Sequence, residues 1–237
     1  MDGEILRPMY VLVGSEKDTL FPTNKPDDPP NIRSFPGTTA NMSKSDLRQF
    51  HTEAMWPSMP ADRSKVLLLV DAWKPNEDDA LSDQCKPDDV QLIKGLIPAR
   101  CTGMIQPLDV HFFRMYKSFV RYVSVTDTVI NETEINLWHR DRFLALQSFV
   151  PYQFSAPRFR NMIRYAFYKA GYTDEEPGSW VSPHDYCFND ISVGEECFVC
   201  GDLAFVKCAH CGANVCIQHS FCSQLHINCT DSNQLEQ

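Results

Sequence analysis

Residues 66–113 read VLLLVDAWKPNEDDALSDQCKPDDVQLIKGLIPARCTGMIQPLDVHFF, and each end of this segment places an acid where a regular element begins or ends. The continuous apolar run Val66–Val70 predicts a buried strand that delivers Asp71 at its carboxyl end. Asp109 follows Pro107, which suits the first turn of an amphipathic helix. Thirty-seven residues separate the two acids, enough for a helix, a strand and a turn. The two carboxylates are therefore predicted to meet at one edge of an α/β sheet.

This segment resembles the DDE transposases, specifically the pogo-like branch of the mariner superfamily. The resemblance covers roughly residues 1–125 and rests on the following residues: Leu67–Asp71, Ile97–Thr102, Gln106–Asp109, Phe112, Phe113 and Lys117. It extends back over Met1–Gly3 and Leu12–Gly14, which resemble the turn and strand after the first catalytic strand of the family. It implies that Asp71 and Asp109 are the second and third members of a metal-binding acidic triad. It also implies a ribonuclease-H-like mixed sheet with flanking helices.

The first acid of that triad has no counterpart in the matched residues. In the family it lies on a strand upstream of them, and Asp2, before Gly3 in a turn-like position, is a poor substitute. We therefore expect an N-terminally truncated nuclease fold with two of three acids and unpaired strand edges, which favour aggregation. The implied cofactor is Mg²⁺ (or Mn²⁺) in a two-metal displacement at phosphorus, and without the first acid catalysis should fall by orders of magnitude.

Each acid also has an ordinary structural interpretation. Asp71 fits a turn residue at a strand end, and Asp109 fits a first-turn acid favoured by the helix dipole. On pattern alone these interpretations compete with the catalytic one, and the family resemblance favours the catalytic position.

Cysteine and histidine are concentrated at the C-terminal end of the chain, where pairs recur at a spacing of two intervening residues. Such pairs let one turn supply two ligands to tetrahedral Zn²⁺. The candidate ligands are Cys197, Cys200, Cys208, Cys211, Cys216, His219, Cys222, His226 and Cys229. Because a segment of this size buries little apolar surface, the predicted zinc ions are structural and stabilise a small C-terminal domain.

Two pairings of these ligands are open. An interleaved arrangement places Cys197, Cys200, Cys216 and His219 on one ion and Cys208, Cys211, His226 and Cys229 on the other, with Cys222 in reserve. A sequential arrangement places the first four cysteines on one ion and the remaining ligands on the second. The short separation of the first two pairs favours interleaving. The region also resembles the Cys-rich C-terminal domain of some pogo-like transposases.

The charge of the chain is uneven. Its formal net charge is −9, which argues against strong autonomous DNA binding because affinity for DNA comes largely from phosphate neutralisation. Residues 110–172, however, hold nine Lys/Arg against four acids. This region either faces a nucleic-acid backbone or forms a solvated helix face. No run of 18 apolar residues occurs, so no membrane span is predicted.

Local patterns predict a loop at 19–36, a helix that begins at the capping pattern Ser43–Asp46, and a polar loop at 74–87. They also predict helices at 135–149 and 157–170, the second of which ends at Gly171. Phe198, Phe205 and Val206 are predicted to form the small core between the cysteine pairs.

The predicted organisation is a partial DDE domain at 1–125, a helical extension at 126–175, a linker at 176–195, a zinc domain at 196–230 and a disordered tail at 231–237. The predicted function is a transposase-derived DNA-processing protein that is catalytically incomplete. The alternative is a non-enzymatic DNA- or protein-binding remnant with structural zinc. A third possibility, a zinc-dependent ubiquitin-type interaction module, is supported only by the spacing of the Cys-x2-Cys pairs. We expect a nuclear protein with DNA as partner, a homo-oligomer as an open alternative, and no membrane or small-molecule substrate.

Overall fold

A computed structural model of the chain describes residues 2–7, 9–12, 28–35, 42–131, 140–189 and 194–229. The chain divides into two compact units. The sheet unit comprises Leu6–Asp109, and the helix–cysteine unit comprises Met1–Ile5 with Val110–Gln237. Within the described ranges, no helix combines the length and the apolarity needed to cross a membrane.

The sheet unit contains two separate pairs of parallel strands among its described residues. Strand β1 (Met9–Leu12) pairs with β2 (Ile32–Phe35), and β3 (Lys65–Asp71) pairs with β4 (Gln91–Ile97). The register of the second pair aligns Asp71 with Ile97. The unit is thus a mixed α/β structure, with Asp71 at the carboxyl end of β3. Strand β2 lies in a proline-rich segment that the sequence predicted as a loop, so that prediction was wrong.

Strand β3 is less buried than its apolar sequence predicted. Leu67 is 59% exposed, and Ile93, its partner on β4, is 39% exposed. In the described part of the chain β3 pairs only with β4 and no third strand joins this sheet. A two-stranded ribbon buries little of either face, which explains why a continuous apolar run coexists with exposed leucine.

Helix α1 (Lys44–Phe50) begins where the sequence predicted. The Ser43 side chain accepts a hydrogen bond from the Asp46 amide while the Asp46 carboxylate accepts one from the Ser43 amide, a complete capping box. The helix continues through a wide turn, His51–Met55, into the short α2 (Trp56–Ser58). This continuous segment buries Leu47, Ala54, Met55 and Trp56.

The segment predicted as a polar loop at 74–87 is largely helical instead. It forms a tight 3₁₀ turn, Lys74–Glu77, and helix α3 (Asp79–Cys85), whose first turn is capped by Asp78 accepting from the Leu81 amide. Leu81 is almost fully buried. One buried leucine among charged residues gives no hydrophobic period, so the sequence pattern could not reveal this helix.

The helix–cysteine unit is built on three helices, α5 (Phe113–Asn131), α6 (Arg140–Phe154) and α7 (Arg160–Lys169). A single turn, α4 (Thr102–Ile105), and a wide turn, Leu108–Phe112, precede α5. The third helix ends as predicted at Gly171, whose φ of 80° allows the left-handed C-cap. The predicted helical positions Ile135 and Leu137 lie outside the described residues.

The C-terminal region shares one core with these helices. Its strands β5 (Val206–Lys207) and β6 (Asn214–Val215) form an antiparallel pair, followed by a wide turn, Gln218–Cys222. The members of the shared core include Phe119, Val123, Phe149, Phe154, Phe159, Met162, Cys187, Phe205, Val206, Val215 and Phe221. Cys187 lies in the segment predicted as a linker, and the predicted tail at 231–237 lies outside the described residues.

Candidate metal centres

Each of the first two Cys-x2-Cys pairs lies at the tip of a small hairpin. An antiparallel bridge between Glu196 and Leu203 flanks Cys197 and Cys200, and the β5–β6 pair flanks Cys208 and Cys211. The Gly201 amide donates to the Cys197 carbonyl, and the Gly212 amide donates likewise to the Cys208 carbonyl. These two glycines have φ values of 78° and 75°. A glycine after the second cysteine thus closes both turns without steric cost.

The first cluster consists of Cys197, Cys200, Cys216 and His219, whose ligand atoms all lie within 4.8 Å of one another. The Cys200 and Cys216 Sγ atoms are 3.7 Å apart. The His219 Nδ1 atom lies 3.2 Å from Cys216 Sγ and 3.7 Å from Cys197 Sγ. Cys216 and His219 share one turn because the Ser220 amide donates to the Cys216 carbonyl.

The second cluster consists of Cys208, Cys211, His226 and Cys229, again with all ligand atoms within 4.8 Å. The Cys208 and Cys229 Sγ atoms are 3.5 Å apart, and Cys211 Sγ lies 3.3 Å from His226 Nε2. The two histidines therefore present different ring nitrogens, Nδ1 in the first cluster and Nε2 in the second.

These spacings fit tetrahedral zinc. Zn–S distances of about 2.3 Å and Zn–N distances of about 2.0 Å place neighbouring ligand atoms of a tetrahedron about 3.5–3.8 Å apart. Both clusters approach these edge lengths, and each offers three thiols and one imidazole. The interleaved arrangement is the one that the structure brings together, and Cys222 belongs to neither cluster. The residues present could therefore hold two zinc ions.

The surroundings of the cysteines favour a thiolate in each cluster. Burial raises the pKa of Cys197, but backbone amides of Cys216, Val199 and Cys200 together outweigh it and lower that pKa to about 6. Hydrogen bonds from the Cys208 and Cys229 thiols lower the pKa of Cys211 to about 3. Thiolate is the form that binds metal, so each cluster contains at least one ligand biased toward coordination.

The second cluster is fixed to the end of α6 through two consecutive residues, Tyr152 and Gln153. The Tyr152 hydroxyl lies 3.1 Å from Cys229 Sγ and donates to the Cys229 carbonyl at 2.9 Å. Its ring stacks on His210 at a centroid distance of 4.0 Å. The Gln153 side-chain oxygen accepts from the Ala209 amide at 2.7 Å. Partners around the ligands of a metal site orient them and tune their affinity for the metal.

Sequence reasoning missed these supporting residues. Tyr152 lies 77 residues before Cys229 and Gln153 lies 56 residues before Ala209, and no local pattern links them. The sequence does contain a signal for the two tight turns, because Gly201 and Gly212 directly follow the two Cys-x2-Cys pairs. Phe198, predicted as a core residue between the knuckles, is 62% exposed, so that prediction was wrong. Phe205 and Val206 are buried as predicted, but in the core shared with the helices.

The two acids, Asp71 and Asp109, do not form a cluster as the cysteines and histidines do. Asp71 is half-buried, and its Oδ1 atom accepts from the Asn76 side-chain amide at 2.9 Å. Asp109 is exposed in the wide turn before α5. The structure describes no contact between the two carboxylates. Within the described residues, the two Cys/His clusters are the groups of three or more candidate ligands, and neither acid belongs to them.

The family assignment follows from residues 1–144, which match the model of the DDE superfamily endonuclease. The chain belongs to the DDE superfamily endonucleases. A second model, the Tc5 transposase C-terminal domain, matches residues 167–229 of this DDE family member. No curated protein and no solved structure matches the chain.

Each matched range of this DDE family member contains one of the two sets of candidate site residues. The endonuclease range contains Asp71 and Asp109, and the Tc5 range contains all nine candidate zinc ligands. The Tc5 range also begins inside α7, so the matched domain includes part of the helical layer that packs on the cysteine region. The resemblance to DDE transposases in the sequence is confirmed.

Proposed function

We propose that the chain is a transposase-derived DNA-processing protein whose helix–cysteine unit is stabilised by two zinc ions and whose acidic site is incomplete. The observation that supports the family chemistry is the endonuclease match over residues 1–144, which includes Asp71 at the carboxyl end of β3. A strand end at a sheet edge is a common place for a catalytic metal ligand in α/β folds. A ribonuclease-H-like arrangement is part of this proposal.

The zinc ions have a structural role in this proposal. Each cluster offers four protein ligands, and a four-coordinate site of this kind leaves no open position for a substrate or an activated water. The ligands come from both hairpin tips, from Cys216 and His219 at the start of the turn at 218–222, and from His226 and Cys229 after it, so each ion would join segments that are separate along the chain. Zinc would act here as a cross-link between these segments of the chain.

The acidic pair alone does not form the expected magnesium site. Asp71 Oδ1 is engaged by Asn76, and Asp109 has no third candidate ligand near it among the described residues. Mg²⁺ uses one or two carboxylates together with waters and substrate phosphates, so Asp71 and Asp109 are the residues that would hold it on bound DNA. The proposed inactivity of this sequence rests on the first acid of the triad, which has no counterpart in the residues that carry the family resemblance.

A nicking assay tests this proposal. We would compare this chain with a version that includes the sequence its gene encodes upstream, using labelled DNA and Mg²⁺ or Mn²⁺. The extended version should nick DNA, and Asp71→Asn or Asp109→Asn should reduce the rate by on the order of 10² or more. Asp62→Asn is the matched control, because Asp62 is an exposed acid beside Arg63. This chain by itself should show no nicking.

Two outcomes contradict the proposal. Nicking that survives both substitutions would remove the acids from catalysis. Absence of nicking in both versions would leave the second candidate, a non-enzymatic nuclear protein that binds DNA or protein. The engagement of Asp71 by Asn76 favours that candidate, because it gives the carboxylate an ordinary role in closing the turn after β3.

A further inference from the structure

A cavity in the sheet unit, the β3 cavity, encloses about 650 Å³. Leu68, Leu69 and Val70 of β3 form one wall, and residues of β1 and of the helical segment 47–59 form others. Cavities of roughly 300–1,000 Å³ are the size at which proteins hold small organic ligands. Both zinc clusters lie in the other unit, and of the acidic pair only Asp71 belongs to the lining. The β3 cavity therefore needs an explanation separate from the metals.

The lining of the β3 cavity is mostly apolar and adaptable. It includes the rings of Phe50 and Trp73 and four methionines, Met9, Met42, Met55 and Met59. Thioether side chains adjust to ligands of different shape, and their sulfur atoms make favourable contacts with aromatic rings. These residues therefore favour an aromatic ligand.

The charge of the lining disfavours an anion. No lysine or arginine is among the described residues that line the β3 cavity. The charge of Lys94 acts on His51, but Lys94 lies outside the lining and pairs with Asp79 at 2.6 Å. The one carboxylate of the lining, that of Asp71, accepts a hydrogen bond from Asn76. An anionic ligand would consequently lose its hydration here without gaining a compensating positive charge.

Two polar atoms of the lining residues are buried without a partner. The Tyr10 hydroxyl and the His51 Nδ1 atom form no hydrogen bond within the described part of the chain, and His51 is only 3% exposed. Burial first, and then the charge of Lys94, lowers the pKa of His51, so its imidazole is neutral at neutral pH. Burial first, and then the charges of Asp46 and Glu53, raises the pKa of Tyr10 to about 12, so its hydroxyl keeps the proton. Because buried polar groups in proteins nearly always have a partner, both atoms point to a ligand.

Aromatic contacts hold these two polar groups in place. The Phe50 ring meets the Tyr10 ring edge-on at a centroid distance of 5.8 Å and the His51 ring at 5.6 Å. On its other side, Tyr10 stacks on Phe35 at 4.5 Å. The β3 cavity thus presents fixed hydrogen-bonding positions on an otherwise apolar wall, as ligand sites in proteins commonly do.

We propose that the β3 cavity binds a neutral aromatic alcohol, with its rings among the methionines and its hydroxyl group hydrogen-bonded to Tyr10 or His51. A hydroxyl group both donates and accepts, so it suits the Tyr10 hydroxyl and either tautomer of the neutral His51 imidazole. This binding site goes beyond the proposed function, since it requires neither DNA nor a metal ion.

Equilibrium dialysis with three two-ring probes, 2-naphthol, naphthalene and 2-naphthoate, tests the proposal. 2-Naphthol should bind saturably and about 2- to 12-fold more tightly than naphthalene, the range for one added hydrogen bond. 2-Naphthoate, which is an anion at neutral pH, should bind most weakly.

Two substitutions locate the hydrogen bond. Tyr10→Phe or His51→Phe should remove the preference for 2-naphthol over naphthalene and leave naphthalene binding unchanged. Neither variant should lower the thermal stability of the chain, because each loses a buried polar atom that has no partner. Tyr172→Phe is the matched control, because it removes the hydroxyl group of a 37% exposed tyrosine in the other unit.

Several results would overturn the proposal: no saturable binding of 2-naphthol, equal affinity for 2-naphthol and naphthalene, tighter binding of 2-naphthoate, or an unchanged preference in both variants. The version that includes the upstream sequence should bind 2-naphthol as this chain does. Binding by this chain alone would also overturn the proposal, since upstream residues would then fill the β3 cavity. Dialysis without DNA or magnesium keeps this result separate from the outcome of the nicking assay.

Discussion

At the scale of single residues, the role of Cys222 tests which of the two zinc pairings is correct. The sequence makes Cys222 a reserve ligand, because it lies between His219 and His226 and could take the place of either of the last two candidates, His226 or Cys229. In the structure it lies at the end of the turn Gln218–Cys222, partly buried, and outside both clusters. Spacing along a chain cannot distinguish a ligand from a neighbour on the same turn, because this depends on which way the side chain points.

A cysteine substitution pair tests this assignment. Cys222→Ser should retain two zinc ions per chain, because no cluster includes Cys222. Cys216→Ser should lose one ion, since serine oxygen is a poor zinc ligand and the first cluster would keep three protein ligands. Metal content of the purified proteins by atomic emission provides the measurement. Loss of an ion from Cys222→Ser would contradict the interleaved assignment and return the pairing to the alternatives left open by the sequence.

At the scale of elements, the two hairpin tips are the clearest success of sequence reasoning. The pairs Cys197/Cys200 and Cys208/Cys211 indicated tight turns with two ligands each, and the structure places each pair at a hairpin tip. Helix α1 was likewise predictable, because Ser43 and Asp46 form a capping box readable from local residues. Helix α3 and strand β2 were not predictable, because each has too few apolar residues to establish a hydrophobic period. Their conformation depends on contacts with residues distant in sequence.

A glycine substitution tests the knuckle turn as an element. Gly201 has φ +78°, and its added Cβ would meet nothing closer than 4.0 Å, so strain rather than crowding opposes a side chain. Gly201→Ala should cost about 1–2 kcal/mol, which corresponds to roughly 5- to 30-fold weaker zinc binding at the first cluster. Competition with a chromophoric chelator measures the affinity.

Gly178→Ala is the matched control for that experiment. Gly178 lies in the same unit, has no left-handed φ, and its added Cβ would meet only the end of the Asn161 side chain at 3.4 Å. Zinc affinity should be unchanged in this variant. If Gly201→Ala also binds zinc as tightly as the unmodified chain, the left-handed turn is not required to position Cys197 and Cys200.

At the scale of the whole molecule, the cysteine region is not a separate small domain beside the helices. Phe205, Val206 and Phe221 share a core with Phe149 of α6 and Phe119 of α5. Sequence analysis predicted a self-contained zinc domain after a linker, because cysteine spacing identifies ligands but gives no information on which surface the domain covers. The α/β class of the endonuclease part was predictable from Val66–Asp109, whereas the exposure of β3 was not, since burial depends on strands beyond its one described partner.

Metal removal tests this shared core. A zinc chelator should destabilise α6 and α7 together with the cysteine region, because a structural zinc ion contributes on the order of 10–16 kcal/mol. Hydrogen exchange should show lost protection at amides of α6, while the β3–β4 amides in the sheet unit keep theirs. Re-addition of zinc should restore protection. Loss of protection confined to residues 194–229 would show that the helices are stable without the metal clusters.

The interleaving of the ligands also has a consequence during synthesis. The chain leaves the ribosome in order, and the helices α5–α7 emerge well before Cys229, the last ligand of the second cluster. The Tyr152 hydroxyl gains its contact with Cys229 only when that residue has been translated. A premature stop just upstream of Cys229 would therefore leave the second cluster one ligand short, with only Cys208, Cys211 and His226 present. Closure of the second cluster therefore waits for the translation of Cys229, after its three other ligands have emerged.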